Sequence, residues 1–195
     1  SVFLDRVFIL NDGGKDLAIN VYGESVISEL QGKGCLLFGS HLGSFEVVRA
    51  LGLSDQSIRL KVLMDNRNTE NTNTILNNIN PEFAKSIIQI GEAHSLLRIK
   101  ELADSGYMVA LLADRVVKKE KSIPCEFLGK KAYFPSGPIT LAGILKVPVV
   151  LFFGVYKGGN RYDIYFERLA DQLQLDEKDE ESSKQKWMQQ YVDRL

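Results

Sequence analysis

The segment Gly39-Ser40-His41-Leu42-Gly43-Ser44-Phe45-Glu46 holds the residue types best suited to proton transfer in this chain. An imidazole can take a proton from a hydroxyl near neutral pH, and a carboxylate can fix its tautomer and stabilise the imidazolium. His41 is therefore the candidate general base and Glu46, five residues on, its candidate partner. The apolar run 35–38 just before them predicts a buried strand, and 45–51 predicts a helix. His41 then stands at the carboxyl end of a strand, in a loop opened by Gly39 and Gly43. A lone His near a carboxylate is more often a satisfied polar pair than a catalyst. The placement favours chemistry, because open α/β sheets bind ligands outside the carboxyl ends of their strands.

The elements that must position this segment are short and alternate in type. Strands are expected at 17–22, 35–38, 58–63, 87–88, 107–113 and 147–153, with 161–168 returning antiparallel to the last of them. Helices are expected at 25–30, 45–51, 93–105, 139–145 and 187–195, and the acidic stretch 171–181 reads as a solvated loop. The strand at 107–113 delivers Asp114 and Arg115 to its end. This alternation predicts one α/β domain over 1–195, with a mostly parallel or mixed central sheet flanked by helices.

Composition narrows the function further. A chain of 195 residues with a net charge of −1 does not suggest a basic nucleic-acid surface. Cys35 falls inside a strand and only Cys125 accompanies it, so a disulfide framework is not expected. His41 and His94 show no zinc spacing. There is no G-x-x-x-x-G-K-[ST] loop and no G-x-G-x-x-G after a strand, so no cofactor motif is present. No apolar run approaches the ~20 residues that cross a bilayer. No G-x-S-x-G elbow supplies a serine nucleophile.

The chain resembles the lysophospholipid acyltransferase superfamily, in its bacterial lipid A late acyltransferase branch. His41-Leu42-Gly43-Ser44-Phe45-Glu46 fits the H-x4-[DE] motif of that superfamily. Further blocks are similar to the branch: Gly32-Lys33-Gly34-Cys35-Leu36-Leu37, then 106–114, then Phe127-Leu128-Gly129-Lys130-Lys131-Ala132. Phe134-Pro135-Ser136-Gly137-Pro138, Leu141-Ala142 and Val147-Pro148-Val149-Val150 complete the set. The order of these blocks is more specific than H-x4-E alone. There are two departures. The branch has an Arg after the strand that follows the His-Glu helix, and here the nearest is Arg67, displaced by a few residues. The superfamily's F-P-E-G loop here reads Phe134-Pro135-Ser136-Gly137.

The resemblance implies a glycerolipid acyltransferase-like fold and transfer of a fatty acyl group from a thioester to a hydroxyl of a lipid or glycolipid. The donor would be an acyl carrier protein or coenzyme A, acting as co-substrate, with no bound cofactor and no metal. His41 would be the base and Glu46 its partner. Arg67, Asp114 and Arg115 would line the site. Backbone N–H groups at Gly43-Ser44 are candidate oxyanion donors, and Ser136-Gly137 a candidate phosphate cradle. The chain would be the soluble core of a longer protein working on the cytoplasmic face of the bacterial inner membrane. Phe45, Tyr133 and Phe134, with Lys130, Lys131 and Arg67, are the candidate membrane contacts. An acyl ester or thioester hydrolase and a non-catalytic lipid-binding module are the alternatives.

Overall fold

The computed structural model describes residues 17–44, 47, 58–65, 85–90, 94–117 and 120–195. In chain order the strands are β1 (Ala18–Tyr22), β2 (Cys35–Gly39), β3 (Leu60–Asp65), β4 (Ile87–Ile90) and β5 (Met108–Leu112). They continue with β6 (Ser122–Phe127), β7 (Lys130–Pro135), β8 (Val149–Tyr156) and β9 (Arg161–Ala170). Four helices carry the labels α1 (Glu24–Glu29), α2 (Ser95–Asp104), α3 (Gly137–Leu145) and α4 (Glu180–Val192).

The most apolar runs form the middle of the sheet, as expected for strands covered on both faces. The seven-stranded order is β1-β9-β8-β2-β5-β3-β4. β8, β2, β5, β3 and β4 are parallel, whereas β9 runs antiparallel to β8 and carries β1 alongside it. The sheet is therefore mixed, and the antiparallel return over 161–168 is real. β1 to β5 each lie within about two residues of their expected spans at either end.

Alternation along the strands divides the core in two. Leu36, Phe38, Val109, Leu111, Val149 and Leu151 face one cluster, completed by Ile99 and Ala103 of α2, Ile139, Ala142 and Leu145 of α3, and Met188, Tyr191 and Val192 of α4. Cys35, Leu37, Met108, Ala110, Val150 and Phe152 face the other, with Ile27 of α1 and Val47. Burying a large apolar side chain of this kind stabilises by roughly 1.5–3 kcal/mol.

The two faces also separate the crossovers. Val47, helical and on the connection from β2 to β3, packs on the second face. The connection from β5 to β8 returns through α3 on the first face. Neighbouring central strands thus send their following connections to opposite sides of the sheet, the arrangement that in open α/β sheets marks the ligand-binding end.

Two parts differ from expectation. α4 begins at Glu180, not at Trp187. Its first turns are polar, so hydropathy reads them as loop. Asp179 caps them by accepting the Ser182 N–H at 3.3 Å. The second difference is the β6–β7 hairpin, in register from Ser122↔Pro135 to Phe127↔Lys130. Its two-residue turn has positive φ at Leu128 (51°) and Gly129 (72°), the backbone of a turn that usually carries Asn-Gly. Phe134 is corrected from a membrane contact to a core residue. It is 5% exposed and packs edge-on against Phe127 with centroids 6.0 Å apart. Phe45 and Arg67 lie outside the described residues, and among the described residues no helix is long and apolar enough to cross a membrane.

Candidate active site

His41 and Asp114 meet because of strand register. β2 and β5 pair in parallel from Cys35↔Met108 to Gly39↔Leu112. Two residues beyond each strand stand His41 and Asp114. Asp114 Oδ2 accepts the His41 backbone N–H at 2.8 Å, and Oδ1 lies 2.8 Å from His41 Nδ1. One carboxylate therefore holds both the backbone and the ring of the same histidine. A carboxylate only accepts, so the second contact calls for a proton on Nδ1. In the neutral ring this leaves the Nε2 lone pair as the base. The His41 side chain is 51% exposed and Asp114 13%, so the ring can reach a substrate while its anchor is largely shielded.

The strand end beneath the pair is fastened from below. The Gly39 carbonyl accepts the Ala113 N–H at 2.9 Å and the Tyr191 hydroxyl at 2.8 Å. Ala113 immediately precedes Asp114, so this carbonyl ties the ends of β2 and β5 together. Tyr191 is fully buried against Phe38, their rings edge-to-face at 6.2 Å. Burial, and after it the nearby Asp114 charge, raise the Tyr191 phenol above its ordinary pKa. It remains a donor throughout the physiological range. Gly39 itself lies against Phe152, whose ring would stand 2.2 Å from an added Cβ. Nothing in the sequence pattern singled out Tyr191, because the link spans 152 positions.

Ser44 departs from its expected role. Its backbone N–H donates to the Gly154 carbonyl at 2.7 Å and is not free for an oxyanion. Its hydroxyl is buried and makes no hydrogen bond. Gly43 allows this close approach, with φ at 93° and an added Cβ only 2.1 Å from the Gly154 oxygen. Arg115 follows Asp114 and is exposed at the same mouth. Ser136 stands at the N-cap of α3 and Gly137 begins it, and the Ser136 N–H donates to the Lys121 carbonyl at 2.9 Å rather than being free for a phosphate. Gly137 is exposed, but a Glu120 carboxylate oxygen lies 3.1 Å from where its Cβ would stand, a neighbour that disfavours a phosphate. Glu46 and Arg67 lie outside the described residues. In the described geometry the ring nitrogen that Glu46 was expected to orient is held by Asp114.

Both thiols are poor nucleophiles. Burial pushes Cys35 up to about 12 and Cys125 up to about 11, so neither is a thiolate near neutral pH. Among the described residues no group of three or more His, Cys, Asp or Glu could hold a metal ion.

Two substitutions test this scaffold. Gly43→Ala should lower stability by about 2–5 kcal/mol, from left-handed strain and overpacking, which thermal or urea unfolding will read. Tyr191→Phe removes one buried hydrogen bond and should cost about 0.5–1.5 kcal/mol. It should also lower kcat with little change in KM, because it loosens the strand end under His41. Equal kcat in Tyr191→Phe would restrict Tyr191 to packing.

No curated protein matches the chain. The sequence profile of the family described as bacterial lipid A biosynthesis acyltransferase matches residues 5–194. With that match spanning nearly its whole length, and with a histidine–carboxylate pair at the carboxyl end of its central strands, the chain belongs to the bacterial lipid A biosynthesis acyltransferase family.

Proposed function

We propose that this chain transfers a fatty acyl group from an acyl thioester to a hydroxyl of a lipid or glycolipid, with His41 as general base. The observation that carries this reading is the His41–Asp114 pair, hydrogen-bonded at 2.8 Å at the mouth of the central sheet. In this mechanism Nε2 takes the proton of the acceptor hydroxyl as its oxygen attacks the thioester carbonyl. Asp114 holds the ring and stabilises the imidazolium that forms. The tetrahedral intermediate then collapses, the carbon–sulfur bond breaks, and the imidazolium returns the proton to the leaving thiolate. No acyl-enzyme is needed, in keeping with two thiols that burial keeps protonated.

The remaining assignments rest on the resemblance. Glu46 supports the imidazolium electrostatically, and Arg67 and Arg115 supply positive charge for the oxyanion or the donor's phosphates. The donor is an acyl carrier protein or coenzyme A. The reaction takes place at the cytoplasmic face of the bacterial inner membrane.

Acyl thioester with and without lipid acceptor, followed by release of free thiol, tests the reaction. Acceptor-dependent release is expected. Release independent of acceptor would indicate a hydrolase, and no release a binding module. His41→Ala should lower transfer by about 10²–10⁴-fold with the fold intact. Asp114→Asn should fall in the same range, because an amide can donate to Nδ1 and favour the wrong tautomer. Wild-type turnover by a folded His41→Ala protein would remove His41 from the mechanism. Glu46→Gln should slow transfer without changing the melting temperature. If it instead lowers the melting temperature and leaves turnover intact, Glu46 is structural.

A further inference from the structure

The β6–β7 hairpin carries a surface that acyl transfer at His41 does not use. Leu128, at its turn, is 87% exposed. It also has φ at 51°, a conformation that Gly or Asn adopts readily and that strains leucine. Leucine there gains neither burial nor backbone ease within the folded chain. An outlier of this kind points to a role outside it.

The neighbours of Leu128 define that role. Lys130 and Lys131 follow it and are exposed. Lys131 Nζ lies 5.5 Å from the centroid of the Tyr133 ring, itself 57% exposed. Glu126, the cross-strand partner of Lys131, contributes the one nearby acidic group of the hairpin. The stem is rigid: the Gln189 side chain accepts the Glu126 N–H at 2.9 Å and donates to the Glu126 carbonyl at 3.0 Å. Gln185 donates to the Pro124 carbonyl at 3.2 Å. Phe127 anchors the tip by its edge-on contact with buried Phe134.

We infer that the β6–β7 tip is a wedge for an anionic lipid surface, with Leu128 entering the acyl region and Lys130 and Lys131 meeting the headgroups. A bilayer closes around a single convex apolar side chain, whereas a protein partner would need a pocket already shaped for it. Basic residues beside an apolar tip match an anionic interface. The hairpin lies on the connection from Asp114 to α3, so it links the site's own strand end to the membrane. This inference deepens the reading of a lipid acceptor. Its test reads binding and not turnover, so either can fail without the other.

The test places an environment-sensitive dye on Leu128→Cys. Cys35 and Cys125 are buried, which directs labelling to the tip. The probe is vesicles of phosphatidylcholine with or without one-third phosphatidylglycerol, at low and high salt. A blue shift on anionic vesicles, weakened by salt, is expected. Unlabelled Leu128→Asn suits the turn, so it should melt at or above the wild-type temperature while its vesicle affinity falls about tenfold. Lys130→Ser with Lys131→Ser should remove the salt-sensitive part of binding, and His41→Ala should bind as wild type. A dye signal unchanged by vesicles, or Leu128→Asn binding like wild type, would overturn the inference. So would a signal raised by acyl carrier protein and not by vesicles.

Discussion

The site depends on the parallel register between β2 and β5. Parallel neighbours hold corresponding residues at fixed offsets, and here Gly39 is paired with Leu112. Both chains continue for two residues past that rung, so His41 and Asp114 arrive together. A shift of one residue would turn His41 to the other side of the sheet from its carboxylate. The register in turn rests on the apolar faces of the two strands. Leu36 and Phe38 pack with Val109 and Leu111 on one side, and Cys35 and Leu37 with Met108 and Ala110 on the other. Stability and site geometry are thus set by the same side chains.

Two further described elements support that junction from beneath. The antiparallel β8–β9 pair supplies the Gly154 carbonyl that holds the Ser44 N–H. The last helix supplies the Tyr191 hydroxyl that holds the Gly39 carbonyl. These are hydrogen bonds between buried groups, which cost most when one partner is missing. They place the Gly-Ser-His-Leu-Gly segment between two fixed points. His41 can then present Nε2 outward while Asp114 keeps the ring from turning. Crossovers that leave β2 and β5 on opposite faces are the arrangement in which open α/β sheets bind ligands beyond their strand ends.

Much of this was legible from residue types alone. An apolar run ending in Gly39-Ser40-His41 marks a buried strand that delivers a histidine, and the run ending in Ala113-Asp114 delivers a carboxylate in the same way. The mixed sheet and the antiparallel return of β9 followed from the same kind of pattern. The pairing of His41 with Asp114 was not legible, because it needs two strands 73 positions apart to be neighbours. The Tyr191 tether is hidden for the same reason. The β6–β7 hairpin escaped because Leu128-Gly129 replaces the usual Asn-Gly signal. The start of α4 escaped because polar first turns resemble a loop. Ser44 looked like an oxyanion donor, since its carbonyl partner, Gly154, lies on a strand distant in sequence.

Asp114 is placed to hold the proton on Nδ1 of His41 and so leave Nε2 free to act as a base. Nitrogen-15 shifts of the His41 ring in its neutral form measure this directly. The Nδ1–H tautomer is expected in the wild-type protein, with loss of that preference in Asp114→Asn. A neutral ring protonated on Nε2, unchanged by Asp114→Asn, would contradict it.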